Sequence, residues 1–494
     1  MEFTCRQRLD LSAVPVTPLD AFRRRLLGRV AEGWRVLALF TLPEGGGRGL
    51  CCLMGRDHDG QLSFFRTAPL SAYPSLTPQC PQCHWFEREI FEQWGILPEG
   101  HPWLKPIRFT GTPSRPDVPR PAPGVTDYFQ VRGEQVHEVA VGPVHAGIIE
   151  PGHFRFQCFG EEVFHLEISL GFQHRGIEAA LLGGPDRRTV HFMETAAGDT
   201  TVGHSLAHAA VMETLTGVTI PARGRAIGRI ALELERLANH TGDIGAIAGD
   251  VGYLPTMSFC GRIRGDFLNC TAVVCGNRFG RGLIRPGGTA YDLGQAEIDD
   301  LTRRVAEAGR AVLGAAEILF ISSTALARFE GTGTLSAETA LDIGLVGPPA
   351  RACGLPRDAR HTFPLSGAGA KDIPMQMRDS GDVHARALMR RLEAQASLEF
   401  VRTALATLPD GPTRQALPAD LPPMSLAVGL IEGWRGEIRH VAATGADGRF
   451  SAYKIIDPSF HNWFGLTLAL RGQQISDFPL CNKSFNLSYC GHDL

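Results

Sequence analysis

Residues 111 to 138, GTPSRPDVPRPAPGVTDYFQVRGEQVHE, hold five of the chain's 33 prolines and almost no hydrophobic periodicity. Neither a helix interior nor a central strand tolerates proline at that density, so the segment reads as an extended linker between two units. On its N-terminal side, Leu19, Phe22, Leu26, Leu27 and Val30 fall near one face of a helix from Pro18 to Glu32. Trp34 to Leu42, Gly49 to Met54 and Gln61 to Thr67 then read as short strands separated by Gly-rich and Asp-Gly turns.

On the C-terminal side, Val139 to Phe172 alternates apolar and polar residues around glycine turns, the pattern of an antiparallel sheet or hairpin. Helical spacing takes over afterwards. Ile227, Ile230, Ala231, Leu234, Leu237 and Ala238 form one stripe, with Glu233, Glu235 and Arg236 off it, so this helix is expected to bury one face. Asp292, with Gln295 three residues on, reads as the cap of a helix running through Leu301, Val305 and Val312 toward Phe320. Asp382 to Leu408 reads as another long helix, and after a second break at Pro418 to Pro423 the chain alternates like a hairpin before returning to helix. The expected class is α+β: a small N-terminal α+β domain, then a mainly α-helical domain entered through a sheet.

Composition narrows the partners. A 44% hydrophobic, 20% charged chain of 494 residues with a formal charge of -3 carries no overall basic footprint, so no nucleic-acid partner is expected. Its start, MEFTCRQRLDLSAVP, lacks the apolar core of a secretory signal, and no run approaches the roughly 18 apolar residues of a membrane helix. The chain is therefore expected in the cytoplasm, with any membrane attachment supplied by partners. Twelve scattered cysteines suit free thiols in a reducing compartment. Cys80 and Cys83 form a C-x-x-C without a second pair at zinc-ribbon spacing, and a loop is the simpler reading.

The densest chemistry lies from Phe172 to His208, FQHRGIEAALLGGPDRRTVHFMETAAGDTTVGHSLAH. His204 and His208 share a helix face beside Ser205, turning a polar cluster toward one partner or cavity. Two readings stay open there, a functional cluster and a helix cap with a hydrogen-bonded core histidine.

Two resemblances follow from these motifs. Residues 83 to 109, through Trp85, Glu87, Arg88, Glu89, Gly95, Ile96, Gly100, His101, Pro102 and Leu104, resemble the end of the complex I 30 kDa-type subunit, which implies a docking module without a cofactor. Taken alone, the Glu87-Arg88-Glu89 triplet reads equally as a solvated helix face. HRGIE and METAAGDTTVGHS resemble the large subunit of membrane-bound nickel-iron hydrogenases and its homologue, the 49 kDa-type quinone-site subunit of complex I.

The hydrogenase resemblance implies four nickel-binding thiolates, and their positions fall on Ala197, Thr200, Ser459 and Asn462. None supplies soft sulfur, so no nickel-iron centre is expected. Arg435 matches the arginine poised over that centre and Glu150 a proton-relay glutamate. From the residues alone, Arg435 would pair with Glu432 or Glu437, and Glu150 would be an exposed turn carboxylate. The complex I resemblance implies a quinone held by a histidine and a tyrosine, and these fall on Ile149 and Gly198, which cannot donate a hydrogen bond. His145 matches the first histidine of the same loop, and Asp250 a carboxylate behind the site. His204, His208, Asn239, His240 and Asp243 would complete a polar wall able to carry protons. Arg351 and Arg360 match the family as well, and would pair with carboxylates or approach a neighbour's cluster.

Together the resemblances imply a docking domain over 1–110, the linker over 111–138 and a large-subunit domain over 139–494. They imply a catalytic-type subunit peripheral to the cytoplasmic face of a membrane, beside an iron-sulfur small subunit and antiporter-like membrane subunits. The chain itself would bind no cofactor, the cluster belonging to the small subunit. The acceptor stays open between a quinone and another carrier, and NAD would serve the wider complex, since no G-x-G-x-x-G strand-turn-helix occurs here. Three functions stay open: an electron-transfer subunit with a modified acceptor site, a hydrogenase, and a scaffold whose old cavity is filled by Ile149, Phe460 and Trp463.

Overall fold

The computed structural model describes residues 1–110, 121–145, 149–364 and 372–494, so the first ten linker residues and part of the turn after His145 lie outside the described residues. A strand at Glu2–Thr4 pairs with Gln61 to Ser63, and a short strand β1 (Leu9–Asp10) and helix α1 (Leu19–Ala31), whose Phe22 and Leu26 are buried, follow it. Strands β2 (Trp34–Glu44), β3 (Gly47–Arg56) and β4 (Gln61–Pro69) follow as an antiparallel sheet, broken where the Gly-rich and Asp-Gly turn signals fall. Helix α2 (His84–Trp94) ends at Gly95 in the left-handed conformation.

The charged triplet on α2 is not a solvated face. Glu87 accepts from Ser75, from Thr77 and from the Leu76 backbone at 2.6–3.0 Å, Arg88 donates to the carbonyls of Lys105 and Pro106, and Glu89 pairs with Arg108 and Lys454. All three side chains are buried, and they fold the surrounding loops onto the helix.

From 121 to 135 no helix or strand forms. Strand β5 (Val136–Val141) begins three residues earlier than the alternation suggested and pairs with β6 (His153–Phe159), which pairs with β7 (Glu162–Ser169). Helices α3 (Thr201–Thr216), α4 (Ala222–Asp250), α5 (Leu254–Cys275), α6 (Gln295–Phe320) and α7 (Val383–Ala406) build the bundle around one large apolar cluster.

Two expectations are corrected here. Helix α4 is covered on nearly every side, so Glu233, Glu235 and Arg236 are buried beside the apolar stripe instead of facing water. Their burial is compensated: Arg236 pairs with Glu233 at 2.9 Å and Glu393 at 3.3 Å. Helix α6 starts after Gly294 without a side-chain cap, because Asp292 is drawn to Arg223 at 2.6 Å.

The last third contains β8 (Ser425–Gly433), β9 (Gly436–Thr444), β10 (Phe450–Ile456) and helix α8 (Ser459–Ala469), followed by two short helices, Phe478–Phe485 and Tyr489–Asp493. β1 pairs antiparallel with β8, so Leu9 and Asp10 complete the last sheet. Every residue of β8 and β9 is buried, because α3 covers one face and the N-terminal unit lies against the other. The alternation therefore marks two buried faces of different chemistry. Gly429 permits the close approach of α3: a Cβ there would stand 2.1 Å from the carbonyl oxygen of Ala207. Among the described residues no single helix is long and apolar enough to cross a membrane.

Candidate functional site

Arg435 sits in the tight turn between β8 and β9, a position that projects its guanidinium toward the start of α3. It makes a bidentate pair with Asp199 at 2.5 and 2.8 Å, donates to the Asn486 carbonyl at 2.6 Å, and stacks on Trp434. The expected partners Glu432 and Glu437 are engaged elsewhere, Glu432 with Arg351 and Glu437 with Arg35 and Arg439. The Asn486 side chain passes the contact on to Asp243, which pairs with Arg390 at 2.6 Å. Trp434 donates to Thr200 Oγ1 and to the Asp199 carbonyl, both at 3.1 Å.

The four positions matched to nickel ligands have other work. Ala197 is fully buried, Thr200 receives the Trp434 indole, Ser459 Oγ accepts from the Ser488 backbone at 2.8 Å, and Asn462 bonds both backbone groups of Val346. A nickel-iron centre needs thiolates converging from both segments, and this donor set does not fit it. Cys490 lies beside Ser488, Glu150 and the Gly198 backbone, and burial pushes its thiol up to about 11. One protonated thiol makes no such centre. Among the described residues no three His, Cys, Asp or Glu side chains are grouped to hold a metal ion.

His204 lies at the heart of the molecule. Its Nε2 is 3.1 Å from Asp457 Oδ2 and its Nδ1 is 3.0 Å from His440 Nε2. His440 Nδ1 is 3.0 Å from the Tyr453 hydroxyl, which is 2.9 Å from His208 Nδ1. All five side chains are buried. Burial pushes the His208 imidazole down to about 4 and, with His204 and His208 nearby, depresses His440 strongly, so both rings are neutral. Burial opposes the charge on Asp457, yet His204, Arg435 and Ser459 together hold its carboxyl below the usual range.

The remaining predicted residues divide. Glu150 is half-buried against Cys490 and Tyr489, not a fully exposed turn carboxylate. His145 meets the Gly152 carbonyl at 3.0 Å and packs on Phe154. Asp250 does not join Arg435 and His204: it ends α4 at an exposed position, two turns beyond Asp243. Of the polar wall, Asn239 bonds the Asp199 carbonyl at 3.0 Å and His240 bonds Glu393 at 2.9 Å. Arg351 joins Glu393 and Glu432 in a buried ionic cluster, and Arg360 joins Asp358. Of the three residues that the scaffold reading places in the old cavity, Ile149 is exposed, Phe460 packs into the N-terminal unit, and Trp463 lies on Tyr489. Gly198 is exposed, and a Cβ on it would meet nothing within 4 Å.

The HRGIE loop locks this centre to the last residues described. Arg175 donates to the carbonyls of Thr195, Ala196 and Cys490, His174 Nδ1 lies 2.7 Å from the Asp493 carbonyl, and Glu178 pairs with Lys454 at 2.9 Å. Asp199, His440, Tyr453 and Cys490 were missed in the sequence. The one available signal was Asp199 itself, an acid two residues past a ligand position and unexplained by helix capping.

A helical bundle with a buried arginine and histidine centre, joined to an N-terminal α+β unit, defines the class, and sequence similarity gives the family. Residues 250–428 match the model of the respiratory-chain NADH dehydrogenase 49 Kd subunit, and residues 60–123 that of the 30 Kd subunit. The chain is 29% identical to formate hydrogenlyase subunit 5 of Escherichia coli over 84% of its length and 76% of that protein's. It is 30% identical to the carbon monoxide-induced hydrogenase of Rhodospirillum rubrum, over 71% of this chain and 97% of that one. To NADH-quinone oxidoreductase subunit 4 of Thermus thermophilus it is 28% identical, over 69% and 90%. The chain belongs to the family of complex I 49 kDa-type and membrane-bound hydrogenase large subunits, with a 30 kDa-type domain fused in front. It is an oxidoreductase subunit of the respiratory type and works within a multi-subunit complex.

Proposed function

We propose that this chain is the nickel-free large subunit of a membrane-associated complex that couples electron transfer to ion movement. The observation that carries the reading is the rebuilt centre: Thr200, Ser459 and Asn462 are tied to protein groups where thiolates would stand, while Arg435, Asp199, His204 and Asp457 remain assembled around them. Buried charge kept in paired form is costly to retain without use, which favours a working centre over a vestigial one. Electrons would arrive from an iron-sulfur cluster in a small partner subunit seated on the open face at Ile149, Glu150, Gly198 and Asp199. The acceptor would be a quinone or a similar two-electron carrier bound without the usual histidine and tyrosine. Antiporter-like membrane subunits would use the released energy, and the chain would lie on the cytoplasmic face, peripheral to the membrane.

Elemental mass spectrometry on the complex purified with its natural partners tests this. Iron without nickel is expected, and stoichiometric nickel would overturn the reading.

A further inference from the structure

We propose that Asp457, His204, His440, Tyr453 and His208 form a proton wire that runs between α3 and the terminal sheet and links the Arg435 centre to a groove on the α3 side of that sheet. The inference deepens the proposed function and rests on it for the destination of the proton, but the wire itself is defined by geometry. Four successive contacts of 2.9–3.1 Å join five buried side chains, and none of the five is left outside the line. At its outer end His208 lines an open groove of about 550 Å³, with Asp186, Arg285 and Arg414 at the rim. At its inner end Asp457 accepts from the Ser459 backbone at 2.8 Å and feels the charge of Arg435.

Hydrogen-bond bookkeeping gives the chain its direction. With Asp457 ionised, His204 must donate from Nε2, which makes its Nδ1 an acceptor for His440 Nε2–H. His440 Nδ1 then accepts the Tyr453 hydroxyl proton, and the tyrosine oxygen accepts from His208 Nδ1–H. His208 Nε2 is left as the free lone pair. The opposite polarity also satisfies all four contacts, with Asp457 protonated and every donor reversed. The two arrangements differ by one proton. A proton taken up at His208 Nε2 therefore moves one along each link and emerges on Asp457, with no ring passing through a resting charge. From Asp457 it goes to the two-electron acceptor as that species is reduced; the rings are then left as the second set of tautomers, and each exchanges its proton between Nδ1 and Nε2 before the next transfer.

The wire exists because two periodicities meet. His204 and His208 are four apart on α3, so both rings lie on the face turned to the sheet, and Gly429 lets that helix approach closely enough to reach His440 on β9 and Tyr453 on β10.

Tyr453→Phe removes the middle link and keeps the ring. In the purified complex, driven by reduced methyl viologen, we expect decylubiquinone reduction to fall at least 10-fold with a larger solvent deuterium isotope effect. Reduction of ferricyanide, which takes electrons without protons, should stay within two-fold, with iron content unchanged. Decylubiquinone reduction that is unaffected would overturn the wire. Solid-state 15N spectra of the histidine-labelled wild-type complex provide a test that needs no turnover. His204 and His440 should carry the proton on Nε2 and His208 on Nδ1; a mixed set, which fits neither polarity, would overturn the wire. A wild-type complex that reduces neither acceptor, yet shows those tautomers, would refute the redox reading and leave the wire standing.

Discussion

Arg435 concentrates the chemistry of the centre in one side chain. Its fork is spent on Asp199, its Nε on the Asn486 carbonyl, and its plane on Trp434. Arg435→Met should cost about 2–3 kcal/mol, below the full cost of breaking a buried pair because Asp199 is a third exposed and regains water. Chemical denaturation of the variant measures this, and electron transfer by the assembled complex should drop with it. Turnover equal to wild type would mean that the arginine only braces the turn. The sequence pointed to Arg435 and His204 through their motifs, because those motifs carry the residues in a fixed local frame. It did not point to Asp199 as the partner, since Glu432 and Glu437 are nearer along the chain and only the β8–β9 turn decides which carboxylate the guanidinium meets. Nor could it find His440 and Tyr453. Their alternation on β9 and β10 fixes a face, but the helix lying on that face is more than two hundred residues away.

At the scale of elements, helices and strands followed from periodicity, while the burial of charge on them did not. A carboxylate off an apolar stripe looks like a solvent face, and on α2 and α4 it is a buried ion waiting for a distant partner. Glu437 on β9 illustrates the energetics. It meets Arg35 of β2 through two contacts of 2.8 and 2.6 Å and Arg439 at 2.6 Å, all buried, and the two guanidinium charges outweigh desolvation to hold its carboxyl at about 2. Because the folded value is depressed, this contribution is complete above the ordinary carboxylate range and is lost as pH falls from about 4.5 to about 2. Glu437→Gln should therefore show a flatter loss of stability than the wild type across that window in acid denaturation. Glu437→Ala, which leaves two buried cations without their shared partner, should cost about 3–5 kcal/mol at neutral pH.

For the whole molecule, the linker suggested two units that fold apart, and the packing joins them. Leu426, Val428, Leu430, Val441, Ile456 and Phe460 from the last third of the chain share one apolar cluster with Phe40, Phe64, Trp85 and Phe86 from the first hundred residues. β1 pairs with β8, and the Arg35–Glu437 and Glu89–Lys454 pairs cross the same boundary. Burying six such side chains contributes on the order of 10 kcal/mol, comparable with the entire stability of a typical domain. Separating the units would expose this surface on both sides and leave the crossing charges unpaired. Residues 1–110 expressed alone should thus be insoluble or fail to give a cooperative transition, and coexpression with residues 121–494 should restore both. In calorimetry the intact chain should unfold in one transition; two resolved transitions, the first abolished by removing residues 1–110, would mean that the shared core does not couple the units. The same coupling bears on function, since β9 and β10 carry His440 and Tyr453 on one face and the N-terminal unit on the other. A displacement of the N-terminal unit therefore acts directly on the strands that hold the centre.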